Sequence, residues 1–375
     1  MTNFIFEDKK KSIVHLTILL LLPPHSLLKS FRRMKQFTLL GYLLLFITTQ
    51  SIAADFVAPK LIDNLNPKGI HNTANMSRLE GWTLMSFIIS KNGLPKHIEV
   101  VNSSNNEKYI KDSIRYLQNY RYSPATYKDE KVFSAKTLLM KHDKSFRGNN
   151  NDGISVGFSI RYERANKFIL NKQFDEALDV LDELRDTNTK NLTEQALSAW
   201  LHSLYFYHKE NWFAYRDNML EANQLREHLP VKMAITNSQN LLQWQVFQNQ
   251  YSDAVYTLAS MANIKNAKMN ASTHKEMLQP ILDSIKSEDI VEINTTLSKG
   301  KSWLHVLPRS SISLTTVSGE IELAELRCDN HWHQFELIKI DKFNIPDNYL
   351  NCSILIKGKP GTQIKFVEQG ALRQF

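Results

Sequence analysis

The sequence is poor in the residues that interrupt regular structure. Its 375 residues include 12 glycines and 11 prolines. Both fall below ordinary usage, which excludes a collagen-like, low-complexity or Pro-rich spacer protein. Cysteine is almost missing: Cys328 and Cys352 are the only two. A disulfide-dense mini-protein and a cysteine-rich zinc framework are therefore both excluded. No phosphate-cradling Gly-Lys-Ser/Thr loop or dinucleotide fingerprint is present. "GISVGFS" (153–159) approaches a nucleophile elbow but lacks its strand-to-helix setting. No apolar run reaches the roughly 20 residues of an ordinary spanning helix.

What the chain does have is a basic leader and a balanced remainder. The formal net charge is +8. Residues 1–53 hold seven of the cations (Lys9, Lys10, Lys11, Lys29, Arg32, Arg33 and Lys35) against Glu7 and Asp8, which leaves 39 basic and 36 acidic residues elsewhere. No basic stripe with interleaved aromatics follows, so nucleic acid is not an expected partner. Within the leader, "FRRMKQ" precedes the apolar run "FTLLGYLLLFI" (37–47). The small-residue exit "TTQSIAAD" offers Ser51-Ile52-Ala53 before a cut. This is the pattern of a secretory signal peptide beginning near Met34. The alternative is an uncleaved anchor in the inner membrane, facing the periplasm. An earlier apolar run, "IVHLTILLLL" (13–22), ends in Pro23-Pro24. In an exported chain the two cysteines are expected to pair, tying one C-terminal domain.

The remaining sequence divides into three blocks, 55–147, 154–290 and 294–375, with "RGNNNDG" (147–153) as the first break. In the first block, "GWTLMSFIIS" (81–90) is apolar on both faces and β-rich, "KNG" (91–93) is a hairpin turn, and "KHIEVVNS" (96–103) returns. Ser104 to Glu107 reads as a capping box. The helix after it presents Ile110, Ile114 and Leu117 and ends at Pro124. "KVFSAKTLLMK" (131–141) reads as a third strand. In the second block, "ANKFILNKQFDEALDVLDEL" (165–184) has tetratricopeptide-like patterning. Phe174, Trp212 and Tyr251 recur at intervals of 38 and 39 residues, a helical-hairpin period. The third block alternates apolar and polar residues over 311–317, 321–328, 335–340, 352–358 and 363–369, as in a small β-sandwich.

Gly81, Asn92-Gly93, the Ser103-Ser104 helix start and the exit formed by Tyr120, Arg121, Tyr122, Pro124 and Ala125 together resemble the C-terminal domain of the TonB energy-transducer family. The resemblance spans 78–142, and the aromatic-Arg-aromatic-x-Pro-Ala exit is its most specific part. It implies a strand–hairpin–strand–helix–strand domain whose sheet edge accepts an extended peptide from an outer-membrane receptor. The implied edge here is Lys131, Val132, Phe133, Ser134, Ala135, Lys136, Thr137 and Leu138. Two departures stand out. Pro59 and Pro67 precede the first strand without a Tyr-Pro pair, and 55–80 is too short and Pro-poor to bridge a periplasm.

Chemistry is thinly represented. His331-Trp332-His333 would place two imidazoles on one face of a strand, but no third ligand has matching spacing; His202 and His208 lie six apart on a helix. The expectation is an α+β multidomain protein: a TonB C-terminal-like domain, tetratricopeptide-like hairpins and a disulfide-tied β domain. Its expected role is non-enzymatic and cofactor-free, docking peptides or envelope proteins in the periplasm as an accessory to TonB-dependent transport. The alternatives are a membrane-anchored transducer, or a hydrolase or metal-dependent enzyme with its site in the β domain.

Overall fold

Burial of β3 (Gly81–Ile89) on both faces organises the first module. The computed structural model describes residues 55–63, 79–143, 153–267, 269–287, 289–298, 300–336 and 339–373. The leader, with its expected signal peptide or anchor, lies outside these residues. After the short strands β1 (Phe56–Val57) and β2 (Leu61–Asp63), β3 pairs with β4 (Pro95–Ser103) and with β8 (Ser134–His142). The order is β4-β3-β8, antiparallel throughout. Met85, Phe87 and Ile89 pack with Tyr116 and Leu117 of α1 (Glu107–Asn119). Trp82 and Leu84 point the other way, into a cluster with Leu192 and Ala196. Two buried faces explain the unbroken apolar run.

In the first block the structure differs from the sequence expectation at four places. The cap of α1 is Asn106, whose side chain accepts from the amides of Lys108 and Tyr109; the Ser104 hydroxyl is instead engaged by the backbone of Trp82. The buried stripe of α1 is Tyr109, Ser113, Tyr116 and Leu117, with Ile110 and Ile114 half-buried beside it. The helix stops at Asn119, before Pro124, because Tyr120 is already extended and β5 (Arg121–Tyr122) pairs with β2. The strand expected over 131–141 is also two strands. Lys131 and Val132 belong to β7 (Glu130–Val132), which folds back on β6 (Ala125–Tyr127) through Lys128 and Asp129, both with positive φ (51° and 64°). Only from Ser134 onward does the chain enter β8.

The second block forms α2 (Val156–Leu170), α3 (Phe174–Glu183), α4 (Leu192–His208), α5 (Trp212–Gln224), α6 (Val231–Phe247), α7 (Tyr251–Ala262) and α8 (Ala271–Ser287). Phe174, Trp212 and Tyr251 each begin the second helix of a hairpin. Two residues before each, Lys172, Glu210 and Asn249 adopt φ of 58°, 54° and 60°. The sequence period is thus a repeated turn geometry: a left-handed residue reverses the chain, and an aromatic then opens the returning helix.

The third block contains β9 (Ile290–Thr296), β10 (Trp303–Val306), β11 (Arg309–Ser318), β12 (Ile321–Arg327), β13 (Trp332–Gln334), β14 (Ile340–Asn344), β15 (Ser353–Gly358) and β16 (Gln363–Leu372). They form two four-stranded antiparallel sheets, β10-β15-β12-β13 and β14-β11-β16-β9. Ile312, Leu314, Ile364 and Phe366 of one share a core with Leu326, Ile354 and Ile356 of the other. The strand expected over 335–340 is replaced by its flanks, since the chain leaves the edge of one sheet at Gln334 and joins the edge of the other at Ile340.

The blocks interlock within one unit, 56–375. The Glu80 carboxylate accepts the Leu192 amide at 2.9 Å, and Gln195 donates to the Glu80 carbonyl at 2.7 Å, which fastens β3 to the start of α4. Arg327, 1% exposed, reaches from β12 to the Ser86 hydroxyl (2.8 Å) and the His97 carbonyl (2.9 Å). Among the described residues no helix is long and apolar enough to cross a membrane.

Candidate functional site

The motif residues of the first block explain one another by contact. A Cβ on Gly81 would lie 2.4 Å from the Tyr109 ring and 2.8 Å from the Ser104 hydroxyl, so only glycine lets the helix lie this close to the strand. Of Asn92 and Gly93, only Gly93 takes a positive φ (76°). The Gly93 amide closes a turn on the Ser90 carbonyl at 2.8 Å, and its own carbonyl accepts the Tyr122 amide at 3.0 Å. A Cβ there would sit 1.9 Å from the Tyr122 carbonyl oxygen. The hairpin turn and the aromatic exit are therefore two halves of one contact. Tyr122 packs against Phe87 and Tyr120 (centroids 6.0 and 6.4 Å), and burial pushes its phenol up to about 12. Arg121 folds back onto the carbonyls of Gln118 and Tyr120, and Ala125 is fully buried.

Strand β8 forms an outer rim, pairing among the described residues with β3 alone. Its register pairs Ser86 with Thr137 and Leu84 with Leu139. The amides facing away from β3 follow by alternation from Ala135, whose N–H leaves the sheet to meet the Cys328 carbonyl at 2.9 Å; they are those of Ala135, Thr137, Leu139 and Lys141. The eight residues expected at the docking edge thus occupy different places. Lys131 and Val132 lie in the β6–β7 hairpin, and Phe133 packs against Trp332 at 6.2 Å and beneath Lys91. Ser134, Lys136 and Leu138 turn their amides inward to β3. Ala135 is capped by Cys328. Thr137 is exposed on the rim. Further along, Lys141 pairs with Glu227.

The three blocks also border an open cavity that no sequence pattern foreshadows. A cavity of about 570 Å³ lies over the face of the sheet opposite α1. Leu84, Val101, Asn102 and Thr137 contribute from the sheet. Arg216, Gln224, Arg226, Gln245, Gln250 and Tyr256 come from the helices, and Lys301 and Trp303 from the β block. Of its charges, Arg226 donates to the Asn223 carbonyl and the others sit against carboxylates or cations. Arg216 donates to Asp217, the Thr295 hydroxyl and the Thr296 carbonyl, and Lys301 stands 3.8 Å from Asp217. Burial alone would raise the Asp217 carboxyl, but Arg216 and Lys301 hold it below the usual carboxylate range. Behind the wall, His305 is clamped by Asp253 at Nδ1 (2.8 Å) and Glu368 at Nε2 (2.6 Å). Burial disfavours the imidazolium there, yet the two carboxylates outweigh it and lift His305 to about 10. With both ring nitrogens committed to carboxylates, His305 is a structural cation rather than a general base.

Cys328 and Cys352 are bonded (S–S 2.05 Å), immediately beyond the last ladder pair of β12 and β15, Arg327 with Ser353. His331 precedes β13 and stacks on Tyr349 at 3.9 Å, while His333 stacks on Phe343 at 5.5 Å, each ring with its own aromatic partner. Among the described residues no group of three metal-ligating side chains converges. Ser155 of "GISVGFS" caps α2, accepting the Phe158 amide. His202 is buried within α4, hydrogen-bonded to the Ser198 carbonyl, and burial with nearby Arg185 lowers it to about 3.

Residues 72–137 match the family model of the Gram-negative bacterial TonB protein C-terminal. No curated protein matches the chain. The chain therefore carries a TonB C-terminal domain, whose matched residues take in β3, β4, α1, β5, β6, β7 and the beginning of β8, and the match stops before the helical hairpins.

Proposed function

We propose that this chain is a non-enzymatic protein-interaction protein of the periplasm that binds an extended segment of an envelope protein along β8, as an accessory to TonB-dependent transport. The observation that carries this reading is the rim itself: β8 ends the sheet with the Thr137 and Leu139 amides turned outward, ready to extend the ladder. A peptide added there gains main-chain hydrogen bonds from the rim and side-chain selection from the flanking surfaces. The helical hairpins, tetratricopeptide-like in period, supply a second surface for protein contact.

The test is titration of the full chain with N-terminal peptides of outer-membrane receptors, read by hydrogen exchange at 134–142. Binding should slow exchange at Thr137 and Leu139. Thr137→Pro and Leu139→Pro remove an outward N–H and leave the β3 ladder in place, so each should weaken binding about tenfold or more. Absence of binding by a folded chain would overturn the reading. N-terminal sequencing of the exported product distinguishes a cleaved soluble protein from an anchored transducer.

A further inference from the structure

One guanidinium of the central cavity lacks an anion. Among the lining residues Arg216, Arg226 and Lys301 are cationic, and Asp217 and Asp253 are carboxylates. Both carboxylates are engaged elsewhere, Asp217 by Arg216 and Lys301, and Asp253 by His305. Arg226 begins the short helical turn after α5 and is half-buried. It donates to the Asn223 carbonyl, and among the described residues no carboxylate pairs with it. Burial holds its pKa below the usual arginine value. A partly desolvated charge is unfavourable until an opposite charge meets it. The planar fork of an arginine fits a carboxylate through two parallel N–H···O bonds.

The cavity and the rim share a floor. The register pairs Trp82 with Lys141, Leu84 with Leu139 and Ser86 with Thr137. Alternation therefore puts Thr137, Leu139 and Lys141 on the same sheet face as Leu84. Leu84 and Thr137 line the cavity, and Thr137 is also exposed on the rim. Arg226 stands near the far end of this row. Burial lowers the Lys141 ammonium, and the neighbouring Arg226 guanidinium lowers it further. Glu227, the next residue, is ion-paired with Lys141. A strand added to β8 places every second side chain on this face, beside the cavity.

We propose that the cavity is the side-chain pocket of the β8 rim, and that its occupant is an extended peptide carrying an aspartate or glutamate, whose carboxylate pairs with Arg226 while its backbone extends the β8 ladder. This rests on the docking reading above and adds what the peptide must carry. A lysine or arginine at the same place is disfavoured, because Arg226 meets it with like charge and the cavity's own carboxylates are already engaged.

The probes are receptor N-terminal peptides that contain an acidic residue, with blocked ends, each made also with its aspartates and glutamates replaced by asparagine and glutamine. Binding to the full chain is read by calorimetry and by hydrogen exchange at 134–142. Both forms should slow exchange at Thr137 and Leu139. The acidic form should bind about tenfold tighter at about 50 mM salt, and the gap should narrow at about 500 mM. Arg226→Gln should remove that preference and leave the affinity of the amide form unchanged, which a damaged fold would not do. Arg226→Lys should keep part of it. Thr137→Pro should weaken both forms. Amide peptides that bind as tightly as acidic ones would overturn the pocket and leave the rim standing, and so would an acid preference that survives Arg226→Gln. Binding that depends on Arg226 but leaves exchange at Thr137 and Leu139 unchanged would overturn both, as would no binding at all.

Discussion

The carbonyl oxygen of Cys328 accepts the amide of Ala135 at 2.9 Å. One residue of the disulfide thus caps the first outward amide of the rim, and Trp332, just beyond the bridge, stacks on His97 and packs against Phe133. The C-terminal block therefore decides how much of β8 is open. A free sheet edge of this kind is an aggregation risk when long and uncovered, and covering one end limits it.

Opening the bridge should lengthen the rim. The bonded cysteines are 24 residues apart in sequence. Losing that loop closure in Cys328→Ser/Cys352→Ser should cost about 3 kcal/mol in denaturant unfolding. Hydrogen exchange at Ala135 should rise more than at Met140, whose amide faces β3. Unchanged protection at Ala135 would mean that the corner is held by its aromatic contacts alone.

Arg327 should be the most sensitive single residue at the junction of blocks. It is buried with Glu325, bonded through Nε at 2.8 Å, and spans to Ser86 and His97. Arg327→Met leaves Glu325 as an unpaired buried charge, and a loss of roughly 3–5 kcal/mol is expected in chemical denaturation. Removing both charges in Arg327→Met/Glu325→Leu should recover much of it. A double-mutant cycle gives the coupling directly.

Gly93→Ala should destabilise the first module by roughly 2–4 kcal/mol, combining positive-φ strain with a clash at the Tyr122 carbonyl. The shift is read as a fall in melting temperature. Asn92→Ala, at a position without positive φ, should cost far less. Equal effects would show that the turn, and not the Gly93–Tyr122 contact, sets the requirement.

Stability should fall at both ends of the pH scale, for opposite reasons. His305 is raised in the folded state to about 10 from an ordinary 6.5. Its contribution is therefore complete below pH about 6.5 and lost as pH rises through about 10. His202 is lowered to about 3, and burial also lowers His142. Their contributions are present above pH about 6.5 and lost as pH falls through the folded values. Melting temperatures across pH 4–10 should show both limbs. His305→Gln should flatten the alkaline limb only, and His202→Leu should reduce the acid limb only.

Much of the first module was legible because its motif residues mark tight contacts. Gly81 makes room for Tyr109, and the Gly93 turn meets the Tyr122 exit, so the motif outlines β3, β4 and α1 even though the contacts themselves are distant in sequence. Misplacements arose where distant contacts compete with local ones. Ser104 looks like a cap, but the Trp82 backbone claims it, and Asn106 does the capping. Lys131 looks continuous with Lys136, but the positive φ of Lys128 and Asp129 folds it into a separate hairpin. The run 335–340 looks like one strand because period-two patterning does not reveal a change of sheet.

The sequence alone determined the hairpin and helix of the first module, the helical period marked by Phe174, Trp212 and Tyr251, and the presence of one cysteine pair. Each is set by bond rotations, side-chain alternation or composition, which act over short stretches of chain. Tertiary structure decided which rim of the sheet is exposed, where Arg327 and His305 find their counter-charges, and that a cavity exists at all. Those depend on groups that lie far apart in sequence, such as Arg327 and Ser86 or His305 and its carboxylates Asp253 and Glu368, which meet only after the blocks have packed and excluded water from between them.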